Sequence, residues 1–99
     1  MNYQFSIDFE KKYKRLRKKN IRLCNAIDET IALFYSDPYN SELDNHSLGR
    51  SLEGIRSIHI IKMRSNDYCS IYEEKVEKAG SVYAYFYNFG THRELFVNT

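Results

Sequence analysis

The chain has 99 residues, which is enough for one domain, residues 1–99, with one modest hydrophobic core and no separate cofactor domain. Hydrophobic residues make up 42% and charged residues 28%, a balance that favours a folded globular protein over a disordered one. The net charge of +2 does not by itself select a nucleic acid as partner, and no apolar stretch is long enough to span a membrane.

A strand and a helix are predicted at the N-terminus. Residues 3–7 alternate apolar and polar side chains, which is typical of a half-buried strand. Asp8 is expected to cap a helix that ends near Asn20. The apolar stripe of this helix recurs at helical spacing and comprises Phe9, Tyr13 and Leu16.

Eight of the fifteen Lys and Arg residues lie between positions 11 and 22. A solvated helix face is one interpretation of this run. Phosphate binding is the other, because clustered cations neutralise a polyanion and release its counterions. The eight cations are Lys11, Lys12, Lys14, Arg15, Arg17, Lys18, Lys19 and Arg22.

A second helix is predicted to pair with the first as a hairpin. Its apolar face comprises Cys24, Ile27, Ile31 and Phe34. Asp37-Pro38 ends it, because the residue before proline is disfavoured in helical conformation. Residues 38–54 then form a long connection that contains His46, and connections of this length in small domains are usually functional or mobile.

After Gly54 the apolar period changes to two, which predicts a three-stranded meander with strands at 55–62, 68–74 and 82–89. The fold class is therefore α+β, with an N-terminal strand and a two-helix hairpin packed on one face of an antiparallel sheet. Strict alternation along the first long strand assigns its side chains to two faces: Ile55, Ser57, His59 and Ile61 against Arg56, Ile58, Ile60 and Lys62.

Neither a cofactor nor a metal is expected. Cys24 and Cys69 have no CxxC spacing and are interpreted as small buried hydrophobes, without a disulfide or zinc site. The three histidines lack a short metal-ligand spacing, and four glycines leave little room for a phosphate-cradling fingerprint.

The histidines raise the possibility of acid–base chemistry, because imidazole titrates near neutral pH. Any one of them, taken alone, is more often a surface or satisfied core residue. Together with their neighbours they form an ordered set of short motifs: His46-Ser47-Leu48, Gly54-Ile55-Arg56-Ser57-Ile58-His59, Asp67-Tyr68-Cys69-Ser70-Ile71-Tyr72 and Gly90-Thr91-His92-Arg93-Glu94-Leu95-Phe96.

This order and spacing resembles the RelE/ParE toxin superfamily of bacterial type II toxin–antitoxin systems, in particular its YafQ-like messenger-RNA interferases. The resemblance implies a RelE-like fold and one site lined by His46, His59, Asp67 and His92. It also implies that Phe96 packs on a nucleobase.

The chemistry implied is cleavage of messenger RNA by its own 2′-hydroxyl, with no metal. A pair among the histidines would act as general base and general acid, and Arg56 and Lys62 are the cations expected at the phosphate. The chain departs from the family pattern at Ser57, where an acidic residue is usual, and in a longer connection before Asp67. Two alternatives follow. Either Asp67 reaches the site, or Asp67 points away from it and Lys62 or Arg64 reaches the phosphate instead.

The partners implied are messenger RNA, the ribosome and a small acidic cognate antitoxin that forms a hetero-oligomer with this chain. The N-terminus lacks a signal-peptide pattern, so a cytoplasmic location and no membrane are expected. Two alternatives stay open. One is a ParE-like toxin that acts on DNA gyrase without cutting RNA, and the other is a basic RNA-binding module in which the histidines are incidental.

Overall fold

The computed structural model describes residues 1–49 and 54–96. An α+β architecture with a C-terminal meander is observed, as the sequence predicts. A short 3₁₀ turn at Ser41–Leu43 lies within the long connection. The helices and strands in chain order are β1 (Asn2–Phe5), α1 (Ile7–Leu16), α2 (Ile21–Ser36), β2 (His46–Ser47), β3 (Ile55–Met63), β4 (Asn66–Val76), β5 (Val82–Thr91) and α3 (His92–Phe96).

The five strands form one sheet in the order β1-β5-β4-β3-β2. Strands β2 to β5 pair antiparallel, whereas β1 joins β5 in parallel, so the sheet is mixed at that edge. One face packs against α1 and α2, and the buried rings of Phe34, Tyr72 and Phe86 meet there at centroid distances of 5.1 to 5.2 Å. We call this the core face and the opposite one the outer face.

The start and end of α1 differ from the sequence prediction. Ser6, not Asp8, is the N-cap, because its hydroxyl accepts a hydrogen bond from the Phe9 amide at 3.0 Å. Asp8 instead lies in the first turn, where a carboxylate favours the helix dipole. The helix ends at Leu16, and Asn20 caps the start of α2 by accepting from the Leu23 amide at 3.1 Å.

The long connection is anchored at two points. Leu43 is buried in the core although it belongs to no periodic apolar pattern. The Asn45 amide donates 2.8 Å hydrogen bonds to the Pro38 carbonyl and the Tyr72 hydroxyl. These contacts hold the segment immediately before β2. The predicted end of α2 at Asp37 is confirmed, and Asp37 is its C-cap.

A β-bulge at Ile60 changes the face assignment that strict alternation gives. His59 pairs with Cys69 and Ile61 with Tyr68, so β3 carries one extra residue between them. Beyond the bulge, Ile61 packs toward the core and Lys62 moves to the face of His59. The prediction that Ile61 shares the face of His59, with Lys62 opposite, is therefore wrong.

Both cysteines are free and buried, as predicted. Among the described residues, no helix is long and apolar enough to cross a membrane. The short helix α3 follows directly after β5 and is not among the elements predicted from the sequence.

Candidate active site

His59 and Asp67 form a direct pair on the outer face. Nδ1 of His59 lies 3.0 Å from Oδ1 of Asp67, across the β3–β4 hairpin. The two side chains are 37% and 54% exposed, so the pair is open to solvent. A carboxylate at Nδ1 fixes the orientation of the imidazole and leaves Nε2 as the nitrogen that can exchange a proton with a ligand.

The bulge at Ile60 places Lys62 on the face that carries this pair. Without the extra residue, the side chains of β3 beyond His59 would keep their original alternation, and Lys62 would point to the core face. In the observed register Lys62 pairs with Asp67 and is exposed, so it shares the outer face with His59. Arg64 lies exposed in the two-residue turn that joins β3 to β4.

His46 lies beside this pair on the edge strand β2. It is paired with Ser57, which is two residues before His59 on the same face of β3. Nδ1 of His46 lies 2.6 Å from the carbonyl oxygen of Asp44, which fixes the ring. The hydrogen bonds of Asn45, the residue before it, hold the backbone in place. Sequence reasoning missed Asn45, and no pattern in the sequence distinguishes it.

His92 enters from β5. Cys69 pairs with both His59 and Gly90, so the three residues form a row across β3, β4 and β5. The row spans two strand spacings, about 10 Å, and His92 follows two residues after Gly90. His92 is exposed and opens α3, and its ring contacts that of Phe96 at a centroid distance of 4.6 Å.

A reciprocal capping box orients α3. The Thr91 hydroxyl accepts from the Glu94 amide, and the Glu94 carboxylate accepts from the Thr91 amide, both at 3.1 Å. These hydrogen bonds hold the pKa of Glu94 below its usual value. Thr91-x-x-Glu94 is a sequence signature of a helix start, so this element could have been found from sequence alone.

Lys12 departs from the expectation that the whole basic run faces a nucleic acid. Its ammonium donates to the Phe89 carbonyl and, at 3.3 Å, to Asn88 Oδ1, and it lies 4.0 Å from Glu94. Desolvation by burial lowers its pKa, against the opposing effect of Glu94. The other seven cations of the run, Lys11, Lys14, Arg15, Arg17, Lys18, Lys19 and Arg22, are exposed. We call these seven the basic surface.

Arg56 lies apart from the histidines. It precedes His59 by three residues with no bulge between them, so the two side chains lie on opposite faces of β3. Its Nε donates to Asn45 at 2.8 Å, and its guanidinium lies 5.5 Å from the centroid of the Tyr39 ring. It also lines a concavity of about 390 Å³ with Glu73 and Glu74, whose carboxylates disfavour an anion. Of the two cations expected at the phosphate, only Lys62 shares the face of His59.

Cys69 lies next to His59 in the row, but it is not suited to act as a nucleophile. Burial raises the pKa of its thiol, which keeps the sulfur protonated near neutral pH. Within residues 1–49 and 54–96, no three His, Cys, Asp or Glu side chains are grouped so that they could hold a metal ion.

Comparison with known proteins gives one family. Residues 1–97 match the model of a bacterial toxin of type II toxin–antitoxin systems, YafQ. A search of curated proteins found no match to this chain.

Several solved structures of toxins have the same fold. The crystal structure of YafQ from E. coli strain BL21(DE3) has a TM-score of 0.68 and 23% identity, covering 96% of this chain and 97% of that one. A YoeB/ParE toxin from Agrobacterium tumefaciens has a TM-score of 0.71 and 13% identity, covering 93% and 99%. The E. coli DinJ-YafQ complex has a TM-score of 0.69 and 23% identity, covering 96% and 97%.

Proposed function

Because its match over residues 1–97 makes this chain a member of the YafQ family of type II toxin–antitoxin toxins, we propose that it is a toxin that acts as an endoribonuclease on messenger RNA. The observation that carries the proposal is the 3.0 Å contact between His59 and Asp67 on the outer face. A protein that only binds a target has no need of an imidazole oriented by a carboxylate. The same arrangement is what proton transfer requires.

The reaction needs two proton transfers and no redox step. A general base takes the proton of a 2′-hydroxyl, and the oxygen attacks the adjacent phosphorus to form a 2′,3′-cyclic phosphate. A general acid protonates the 5′-oxygen as its bond to phosphorus breaks. The base and the acid are a pair among His46, His59 and His92. Asp67 holds the His59 ring and stabilises its imidazolium form.

Two further residues bind the substrate in this proposal. Lys62 shares the face of His59 and supplies a positive charge to the phosphate, whose negative charge increases in the transition state. Phe96, one helical turn after His92, offers an aromatic ring on which a base next to the cleaved bond stacks. Stacking tolerates any base, so it positions the RNA without selecting a sequence.

The basic surface binds the RNA of the ribosome or of the message. Its seven cations extend from the middle of α1 through the turn to the start of α2, and all of them are exposed. Charges of this kind bring a polyanion to the protein and make binding depend on salt. The proposed place of action is the cytoplasm, where translated messages and ribosomes are found.

A cognate antitoxin completes the proposal, since a nuclease that cuts the cell's own messages must be held inactive. The partner is a small acidic protein whose segments fold on the toxin and cover exposed apolar and basic surface. Co-expression of the neighbouring reading frame with a tag on this chain tests it. If the chain is recovered alone and causes no growth arrest when it is expressed without its neighbour, both the proposed antitoxin partner and the proposed toxin function are contradicted.

The nuclease itself is tested by expression without the antitoxin. We expect growth arrest and loss of translation, and we expect His59→Ala and His92→Ala each to abolish them. Purified protein should cut messenger RNA, and a comparison with and without ribosomes identifies the true substrate. If either histidine variant stays as toxic as the parent, the catalytic assignment is wrong, and intact RNA with inhibited gyrase indicates a ParE-like toxin.

A further inference from the structure

We propose that Lys12 is a positioning residue that docks α3, and with it His92 and Phe96, onto the sheet. It is one of the eight clustered cations, but unlike the others it is half-buried. An ammonium has three N–H donors, and three acceptor groups surround this one, two within hydrogen-bond distance and one at ion-pair distance. These are the Phe89 carbonyl, Asn88 Oδ1 at 3.3 Å and the Glu94 carboxylate at 4.0 Å.

The three acceptors come from two elements that must meet for the proposed site to form. Phe89 and Asn88 belong to the end of β5, and Glu94 belongs to α3. Lys12 itself extends from α1, and its ammonium also lies 4.8 Å from the centroid of the Phe89 ring. One side chain therefore connects the helix hairpin, the last strand and the short terminal helix.

The contact to Glu94 acts through the capping box. Glu94 Oε1 accepts from the Thr91 amide, while Oε2 faces the Lys12 ammonium. The positive charge attracts the carboxylate and holds it in place, and the carboxylate keeps the first turn of α3 closed. His92 lies inside that turn, so its ring direction depends on a contact that it does not itself make.

Gly90 leaves room for this arrangement. A Cβ added there would lie 3.1 Å from the Lys12 nitrogen and 3.5 Å from the Glu94 carboxyl carbon. A side chain at this position would displace either the ammonium or the carboxylate. This gives a physical reason for a glycine at the start of the Gly90-Thr91-His92 motif.

The alternative is that Lys12 binds RNA phosphate as a member of the basic run. The two roles predict different kinetics. A phosphate contact mainly sets affinity, so its removal raises KM and reduces the slope of log affinity against log salt by about 1. A positioning residue sets the geometry of the reacting groups, so its removal lowers kcat and leaves the salt slope unchanged.

The experiment compares Lys12→Met with Lys11→Met, a neighbouring exposed lysine on the same helix. Amide hydrogen exchange at Thr91 and Glu94, followed by NMR, reports the capping box whether or not the protein is a nuclease. We expect exchange at both amides to accelerate at least about tenfold in Lys12→Met and to stay at the parent rate in Lys11→Met. Unchanged exchange in Lys12→Met overturns the proposal.

The second measurement, the kinetics of RNA cleavage, rests on the proposed nuclease function. In RNA cleavage, Lys12→Met should lower kcat by about tenfold to a hundredfold with an unchanged salt slope, whereas Lys11→Met should raise KM and reduce the slope. A raised KM and a smaller slope in Lys12→Met make it a phosphate contact and overturn the proposal. If the parent cuts no RNA but exchange accelerates, the docking role of Lys12 stands and the nuclease proposal fails.

The variant Glu94→Gln is a control that distinguishes a local effect on α3 from a general folding defect in Lys12→Met. Glutamine retains an acceptor for the Thr91 amide but loses the charge that faces Lys12. We expect a smaller acceleration of exchange than in Lys12→Met, with no change at the amides of the β3–β4 hairpin. Acceleration throughout the sheet in both variants would mean that Lys12 stabilises the whole fold, and it would overturn a specific role in docking α3.

Discussion

Replacing Asp67 with asparagine removes one negative charge 3.0 Å from Nδ1 of His59 while keeping the size of the side chain. At this distance two unit charges attract by about 1.4 kcal/mol in water and by about 5.5 kcal/mol at the effective dielectric constant of a protein surface. Both side chains are more than a third exposed, so the lower value applies. Any step in which His59 becomes an imidazolium loses that stabilisation.

A loss of 1.4 kcal/mol from the transition state corresponds to about a tenfold slower reaction. We therefore expect Asp67→Asn to lower kcat for RNA cleavage by up to about tenfold with little change in KM, because Asp67 does not contact the substrate. His59→Ala should cost more, about a hundredfold to ten-thousandfold, since it removes the proton-transfer group itself.

The assay is single-turnover cleavage of a labelled messenger RNA, with circular dichroism to verify that each variant is folded. Glu29→Gln removes an exposed carboxylate from α2, away from the histidines, and serves as the matched control for net charge. A rate for Asp67→Asn equal to that of the parent would refute the electrostatic role of Asp67. A loss as large in Glu29→Gln would show that overall charge, and not the pair, is responsible.

Three further predictions concern residues outside the His59 pair. Arg56→Ala should lower the free energy of unfolding, measured in urea, by about 1–2 kcal/mol, because it removes a charged hydrogen bond to Asn45. Lys62→Ala should instead slow RNA cleavage without loss of stability. Equal slowing of cleavage by both variants would place Arg56 at the phosphate. Burial and the 2.6 Å hydrogen bond to Asp28 raise the pKa of Tyr13 from 10.0 to about 12. The protonated Tyr13 hydroxyl therefore contributes fully to the free energy of unfolding below pH 10, and this contribution is lost as the pH rises toward 12. Parent protein should therefore lose more stability over this interval than Tyr13→Phe, and parallel curves would contradict the assignment. Reversing four charges of the basic surface should weaken ribosome binding at low salt with the fold intact, and unaltered affinity would make the run a solvated face. The four are Lys14, Arg15, Lys18 and Lys19.

Much of the fold follows from periodicity. The stripe that includes Phe9 predicts how α1 packs, and the change to period two after Gly54 predicts the meander, since burial on one face imposes both patterns. The bulge at Ile60 is not visible in this way, because an inserted residue in an apolar run leaves Ile60 and Ile61 equally acceptable. As a result, strict alternation assigns Lys62 to the wrong face of the sheet.

The candidate site, like the fold, is predictable from the sequence only in part. Its histidines stand out by residue type and order in the chain, but the contact of His59 with Asp67 depends on the hairpin register, which composition does not specify. Lys12 looks like any other cation of its run. Only its position against the end of β5 separates it from them.

In the proposed function, this toxin cuts RNA through the substrate's own 2′-hydroxyl with histidine acid–base catalysis. The most direct test is cleavage of a short message, on the ribosome and free, that carries a single 2′-deoxynucleotide immediately 5′ to the mapped cleavage site. We predict that the all-RNA message yields a 2′,3′-cyclic phosphate and a 5′-hydroxyl end, and that the deoxy substitution abolishes cutting at that bond. Undiminished cleavage of the substituted message would contradict it.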